Sequence, residues 1–315
     1  MGTRGKLSNL SNFHYDGNMK SATVSVIGRP SAGKSTMVNT ICEMKVSITS
    51  PVPQTTRNKI RGIYTDQRGQ LVFIDTPGYH LSEKTINRKM QEVTVSALSE
   101  SDIILYIMDG KRAAKKEEET LAELIKEAKV PLVCAINKKD ILTKDEEEDA
   151  RFFLKSRFPT SPILLTSAEK DEGIDELLIE LFKLAPEGEL MYDESSYTDQ
   201  NLEFRISEII REKTINMLSD ELPHTIFVEV SDLEYDDEEN KVWIRAFINT
   251  ERDGQKGIIV GKGGENIKKI RQASFKDIKK IFPGSKLELD LRVKAVAKWR
   301  NNQVILDKIF KDMSK

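Results

Sequence analysis

The sequence predicts an α/β chain of two domains: a mixed, mostly parallel sheet covered by helices on both faces, followed by a small α+β domain. Three observations predict it. Apolar runs of strand length alternate with amphipathic helical periodicity from residue 21 to 185. A polar, turn-rich stretch at 186–200, opening on Ala185-Pro186-Glu187-Gly188, then interrupts the pattern. Beyond it the order becomes helix, strand, strand, helix, strand, helix. The expected organisation is a disordered leader at 1–20, a first domain at 21–185, a linker at 186–200 and a second domain at 201–315.

In the first domain, strands are expected near 22–28, 58–65, 70–75, 103–109, 131–136 and 162–166, and helices near 34–43, 84–99, 116–128, 145–156 and 174–184. Asp66-Gln67-Arg68-Gly69 joins two antiparallel strands, so one edge of the sheet is mixed. The acidic runs at 117–119 and 146–149 fall at helix starts, where negative charge suits the macrodipole, and read as solvated. In the second domain, Phe204, Ile206, Ile209, Ile210 and Thr214 share one helical face. Strands follow at 225–233, 241–250 and 286–293, and a helix closes the chain at 299–313.

Composition narrows the class. With 315 residues, 38% hydrophobic and 32% charged, the chain is long enough for two cores and has no apolar run of membrane-helix length. Residues 1–20 lack the apolar segment of a secretory signal, and Met19, directly before the first strand, leaves open whether it or Met1 is the original start. Cys42 and Cys134 are too few for a disulfide framework and read as buried free thiols. His14, His80 and His224 have no metal-ligand spacing. The net charge of −2 conceals an asymmetry: residues 241–315 carry 19 basic and 8 acidic side chains. A basic end on a mildly acidic chain points to a polyanionic partner.

Three motifs carry chemistry. Gly28-Arg29-Pro30-Ser31-Ala32-Gly33-Lys34-Ser35, followed by Thr36, fits the phosphate loop, with the strand Val24-Ser25-Val26-Ile27 before it and a helix after it. Such a loop turns backbone N–H groups toward phosphate oxygens; Lys34 adds charge toward the outer phosphates and the Ser35 hydroxyl can ligate Mg²⁺. Asp75-Thr76-Pro77-Gly78 ends a second buried strand. Asp75 is placed to hold Mg²⁺ through water, and the Gly78 N–H to sense the terminal phosphate. Asn137-Lys138-Lys139-Asp140 ends a third. The Asp140 carboxylate can accept from the ring N–H and exocyclic amine of guanine together, which adenine cannot match, and the Lys138 stem can cover the base. Ser167 and Ala168 follow a further strand, where the Ala168 N–H can meet the guanine carbonyl. Between the first two motifs, Pro53-Gln54-Thr55-Thr56-Arg57 offers a threonine as Mg²⁺ ligand when the terminal phosphate is present, Thr56 ahead of Thr55. Lys34, Thr56, Asp75 and Gly78 are the expected catalytic set for GTP hydrolysis.

In the second domain, Ile258, Ile259 and Val260 run into Gly261-Lys262-Gly263-Gly264, which opens a helix carrying Ile267, Lys268, Lys269 and Arg271. The element order is that of a KH module, whose Gly-x-x-Gly loop clamps single-stranded nucleic acid beside an apolar groove. Residues 259–264, Ile267, Lys268, Lys269 and Arg271 are the expected RNA-binding set.

Taken with Ser207-Glu208-Ile209-Ile210-Arg211-Glu212-Lys213 and Glu221-Leu222-Pro223, these motifs make the chain resemble the Era family, ribosome-assembly GTPases with a C-terminal KH domain. The resemblance covers about 21–315. It implies a P-loop GTPase domain followed by a type II KH domain, a GTP/GDP ligand with Mg²⁺, and binding near the 3′ end of small-subunit ribosomal RNA. It also implies a role in 30S subunit maturation, and a cytoplasmic monomer peripherally associated with the inner membrane. Two positions bear on hydrolysis, the second of them non-Gln in Era relatives as well. Ser31 stands where an Asn commonly helps hold potassium, which leaves potassium dependence open. Tyr79 stands where Ras-like proteins place a water-positioning Gln; a phenol is a poor base, so slow turnover is expected. The reading is a GTP-dependent RNA-binding switch. Its rivals are a constitutive RNA binder with a structural GTPase domain and a membrane-adaptor GTPase.

Overall fold

The computed structural model describes residues 18–53, 55–79, 85–218 and 225–310. The leader up to residue 17, Gln54, His80, Leu81 and the Glu221-Leu222-Pro223 motif lie outside them. The chain divides into two compact units. One takes residues up to Ser47 together with Thr56–Asp199; the other takes Ile48–Thr55 together with Gln200–Lys315.

The first unit runs β1 (Lys20–Ile27), α1 (Lys34–Ile41), β2 (Ile60–Asp66), β3 (Gly69–Asp75), α2 (Thr85–Ser99), β4 (Ile103–Asp109), α3 (Lys116–Ala128), β5 (Leu132–Asn137), α4 (Lys144–Arg157), β6 (Ile163–Leu165) and α5 (Ile174–Leu184). Strand order is β2-β3-β1-β4-β5-β6, parallel except for the β2–β3 hairpin. β3 and β4 are buried along their whole length, which is why they read as continuous apolar runs. Parallel pairing sends the C-terminal ends of β1, β3, β5 and β6 to one edge of the sheet, where ligands sit in such folds. Cys134 is buried, but Cys42 is only partly covered, against the expectation that both would be.

The expected linker is largely built into this unit. The Ile63 N–H donates to the Tyr197 carbonyl at 3.0 Å, Arg61 pairs with Asp199 at 3.1 Å, and Gln70 bonds the backbones of Met191 and Tyr192. The bonds from Ile63 and Arg61 cap the open edge strand β2, which otherwise presents unpaired backbone groups, while Gln70 ties the stretch to β3.

The second unit contains α6 (Leu202–Met217), β7 (Phe227–Asp236), β8 (Lys241–Thr250), α7 (Asp253–Val260), α8 (Glu265–Ile278), β9 (Lys286–Ala295) and α9 (Gln303–Ile309). β7 and β8 are antiparallel, β8 and β9 parallel, and α7 with α8 forms the crossover that parallel pairing requires. Val242, Ile244, Ala246 and Ile248 alternate inward and meet Leu287, Leu289, Leu291 and Val293 in one core. The apolar run before the Gly-x-x-Gly loop is a helix, α7, despite Gly254 and Gly257. One feature departs from expectation. The closing helix is split: Trp299–Asn301 is a 3-10 turn, and α9 starts only after Asn302 caps it.

Trp299 is fully buried, its ring 4.9 Å from Phe227 and its indole N–H donating to the Thr225 carbonyl at 2.9 Å. Trp299→Ala is therefore expected to cost about 3–5 kcal/mol, through the cavity and the orphaned carbonyl. Urea unfolding followed by far-UV circular dichroism measures it.

Candidate nucleotide site and nucleic-acid interface

The phosphate loop leaves β1 and enters α1 through Gly33, whose φ of 94° is closed to ordinary side chains. A Cβ there would also lie 2.3 Å from the Asn137 amide nitrogen. Lys34 is buried, and its ammonium donates to the carbonyls of Gly28 and Arg29, both at 3.1 Å. Burial pulls that ammonium down to about 8, against the opposing fields of Asp75 and Glu118.

Ser35, Thr56 and Asp75 converge. The Ser35 hydroxyl donates to Asp75 Oδ2 at 2.7 Å, and Thr56 Oγ1 lies 2.9 Å from Ser35 Oγ and 3.5 Å from Asp75 Oδ2. Thr55 turns away, its hydroxyl donating to the Val52 carbonyl at 2.7 Å. Asp75 is buried and its Oδ1 has no hydrogen-bond partner among the described residues. Burial raises the Asp75 carboxyl above the usual carboxylate range, with Lys34 the main opposing field. Two hydroxyls and a carboxylate with an unsatisfied buried oxygen form the hard-oxygen donor set that suits Mg²⁺. Gly78 packs on the loop: a Cβ there would fall 2.6 Å from Pro30 Cα. The Tyr79 N–H donates to the Gly28 carbonyl at 3.2 Å, while its side chain packs against the apolar cluster around Tyr106 and Met108.

Arg29 differs from expectation. Its guanidinium turns away from the loop's interior and pairs with buried Glu118 at 2.9 Å. Glu118 also accepts a short bond from the Tyr106 hydroxyl. Glu118, expected within a solvated helix start, is instead a buried anchor for the loop, and only the Arg29 backbone is left for phosphate. Ser31 adopts a φ of 64°, and Pro30 offers its carbonyl to Arg112 at 3.1 Å.

At the base end, Asn137 ties three segments together. Its amide donates to the Ala32 carbonyl at 2.9 Å, and its Oδ1 accepts the Ala168 N–H at 3.0 Å and the Thr166 hydroxyl at 3.3 Å. The Ala168 N–H, expected to be open for the guanine carbonyl, is thus already engaged. Ser167 donates to Asp140 Oδ1 at 2.6 Å and fixes that carboxylate's rotation. Lys138, at a φ of 70°, reaches Asp109 at 2.8 Å, which lays its stem along this end of the site. Thr36 continues α1 behind the loop.

In the second unit, Gly261, Gly263 and Gly264 all have positive φ, at 73°, 60° and 79°. Exposed Lys262 sits among them, and Gly264 opens α8, whose Lys268, Lys269 and Arg271 are exposed. Lys269 pairs with Glu265 at 2.6 Å. Val260 and Ile267 are half-buried beside the core. Ile259, expected in the RNA-binding set, is instead fully buried and faces that core, while its neighbour Ile258 is 51% exposed. The helical conformation of 253–260 sets which of the two isoleucines faces inward.

Residues 23–138 match the family model described as a 50S ribosome-binding GTPase, and residues 221–300 match the KH domain. GTPase Era of Treponema denticola is 45% identical over 293 residues, 92% of this chain and 99% of that protein. GTPase Era of Borreliella afzelii is 43% identical over 291 residues, again 92% and 99%. Among solved structures, a Tyr-to-Ala variant of Aquifex aeolicus Era bound to GDP and AlF4⁻ superposes with a TM-score of 0.88 at 31% identity, covering 93% of this chain and 99% of that one. Era in complex with MgGDPNP and nucleotides 1506–1542 of 16S ribosomal RNA gives the same values. Similar along nearly its whole length, through both the nucleotide-site domain and the KH domain, the chain belongs to the Era family of GTPases.

Proposed function

We propose that this GTPase uses its nucleotide state to control KH-mediated binding of small-subunit ribosomal RNA near the 3′ end, during 30S subunit maturation. One observation carries the control: Thr56, gathered with Ser35 and Asp75, directly follows Ile48–Thr55, a segment that belongs to the KH-containing unit. A change at Thr56 on loss of the terminal phosphate therefore acts on a segment of the RNA-binding unit. The complex of the related Era with 16S nucleotides supports the choice of RNA.

Ser35, Thr56 and Asp75 would hold Mg²⁺, which supplies charge neutralisation between the outer phosphates. Lys34 and the loop N–H groups stabilise charge on the terminal phosphoryl oxygens as water attacks in line. Tyr79 packs into apolar surroundings, where a phenol is a poor base for the attacking water, which supports the expectation of slow turnover. Gly261–Gly264 and Lys262 clamp the RNA backbone, and Val260, Ile258 and Ile267 line the apolar side of the groove. A cytoplasmic monomer with peripheral attachment to the inner membrane completes the reading.

The test is affinity of the full-length protein for a single-stranded RNA of the 16S 3′ end, with GDP and with a non-hydrolysable GTP analogue. Binding at least about tenfold tighter in one state is expected, a coupling within the usual range. Equal affinities in both states would leave a constitutive RNA binder.

A further inference from the structure

α6 holds the segment ahead of Thr56 at both ends. Arg211 is buried and clamped by Glu208, which accepts from Nε and Nη2, each at 2.6 Å. The same Nη2 donates to the Thr55 carbonyl at 2.7 Å. One residue along, buried Glu212 accepts the Thr49 N–H at 3.1 Å and its hydroxyl at 3.4 Å. Between these two grips, Val52 packs against the apolar core of the second unit. Thr49 to Thr55 is thus fastened by two charge-assisted contacts and one apolar contact, all to the KH-containing unit.

We infer that Arg211 and Glu212 are positioning residues for GTP hydrolysis: they set the path of the loop that delivers Thr56 to Ser35 and Asp75. Thr56 is the next residue after the carbonyl that Arg211 holds, so its backbone entry point is fixed by a side chain outside the nucleotide site. Glu212 extends the hold. It takes Lys213 at 3.2 Å, and Lys213 pairs with Asp277 of α8 at 2.5 Å. α8 is the helix opened by Gly264 of the Gly-x-x-Gly loop. A polar chain therefore runs from α8 to Thr49, at the far end of the segment whose other end, Thr55, is held by Arg211. The inference rests on the reading of Thr56 as a terminal-phosphate-linked ligand. Bound GDP, which lacks that phosphate, makes no demand on this loop, so the two positions should separate GTP-state from GDP-state behaviour.

The experiment compares full-length Thr56→Ala, Arg211→Gln, Arg211→Lys and Glu212→Gln. Its readouts are single-turnover hydrolysis, affinities for GDP and a non-hydrolysable GTP analogue, and thermal melting. Arg211→Gln is expected to slow hydrolysis about tenfold or more, because a loop displaced by an ångström loses that much. Analogue affinity should fall with it while GDP affinity stays within about twofold, the split that marks a contact made only in the GTP state. Arg211→Lys, keeping one donor, should recover part of the loss. Isosteric Glu212→Gln should show the same split at about threefold, from the weakened charge-assisted bond, and decides the matter if Arg211→Gln fails to fold. Folded Arg211 and Glu212 variants with wild-type hydrolysis, beside an impaired Thr56→Ala, overturn this inference alone. Wild-type behaviour of Thr56→Ala overturns the reading beneath it.

Discussion

Lys34→Ala is expected to slow GTP turnover by about 10²–10³-fold, or ~3–4 kcal/mol of transition-state stabilisation. The ammonium is buried and held at about 8 by desolvation, donating meanwhile to the carbonyls of Gly28 and Arg29. Phosphate oxygens restore full charge to such a group, and the dry surroundings make its field strong where negative charge develops. Alanine removes the cation and strands two loop carbonyls, each an uncompensated polar group worth about 1–3 kcal/mol. Nucleotide affinity should therefore fall as well. Single-turnover phosphate release and equilibrium binding of a fluorescent GDP separate the two losses. Turnover within a few-fold of wild type would mean that the charge comes from elsewhere.

Asp140→Asn is expected to lower GTP affinity by roughly 10²–10⁴-fold and to raise affinity for xanthosine triphosphate. The substitution is isosteric, and Ser167 holds one carboxylate oxygen at 2.6 Å, so the asparagine side chain should keep the same rotation with its oxygen toward Ser167. The amide nitrogen then replaces the second acceptor. Guanine presents two donors to that edge, and one now meets a donor. Xanthine, with a carbonyl where guanine has an amine, restores the match. Competition binding with both nucleotides reads the exchange. A variant that loses both equally would place the selectivity outside Asp140.

Much of the first unit was legible because its strands are buried on both faces, so Leu71-Val72-Phe73-Ile74 and its counterparts stand out as apolar runs of strand length. The phosphate loop, Asp75 and Asn137 follow from those runs, since each sits where one ends. What stayed hidden is pairing across sequence distance. Nothing local to Glu118 marks it off from its neighbours Glu117 and Glu119; it is buried because Arg29 of the phosphate loop and Tyr106 of β4 meet it. The Ala168 N–H looked open because its partner, the Asn137 side chain, lies 31 positions away. In the second unit, two glycines made 253–260 a poor helix by propensity, and crossover packing overrode them, exchanging Ile258 for Ile259 at the surface. The polar stretch before Gln200 carried the composition of a linker, yet the open edge of β2 recruits its backbone.

The division of the chain at Ser47 and Thr56 has a consequence for synthesis. Ile48–Thr55 leaves the ribosome early, but the helix that fastens it, Leu202–Met217, is made only after the whole nucleotide-site sheet. Chains fold from the N-terminus as they emerge. A nascent chain can thus complete its phosphate loop and its guanine pocket while the loop before Thr56 still lacks its anchor. With Arg211 and Glu212 positioning Thr56 as inferred above, the order of translation would keep the nascent enzyme from a competent GTP state until its KH-containing half is made.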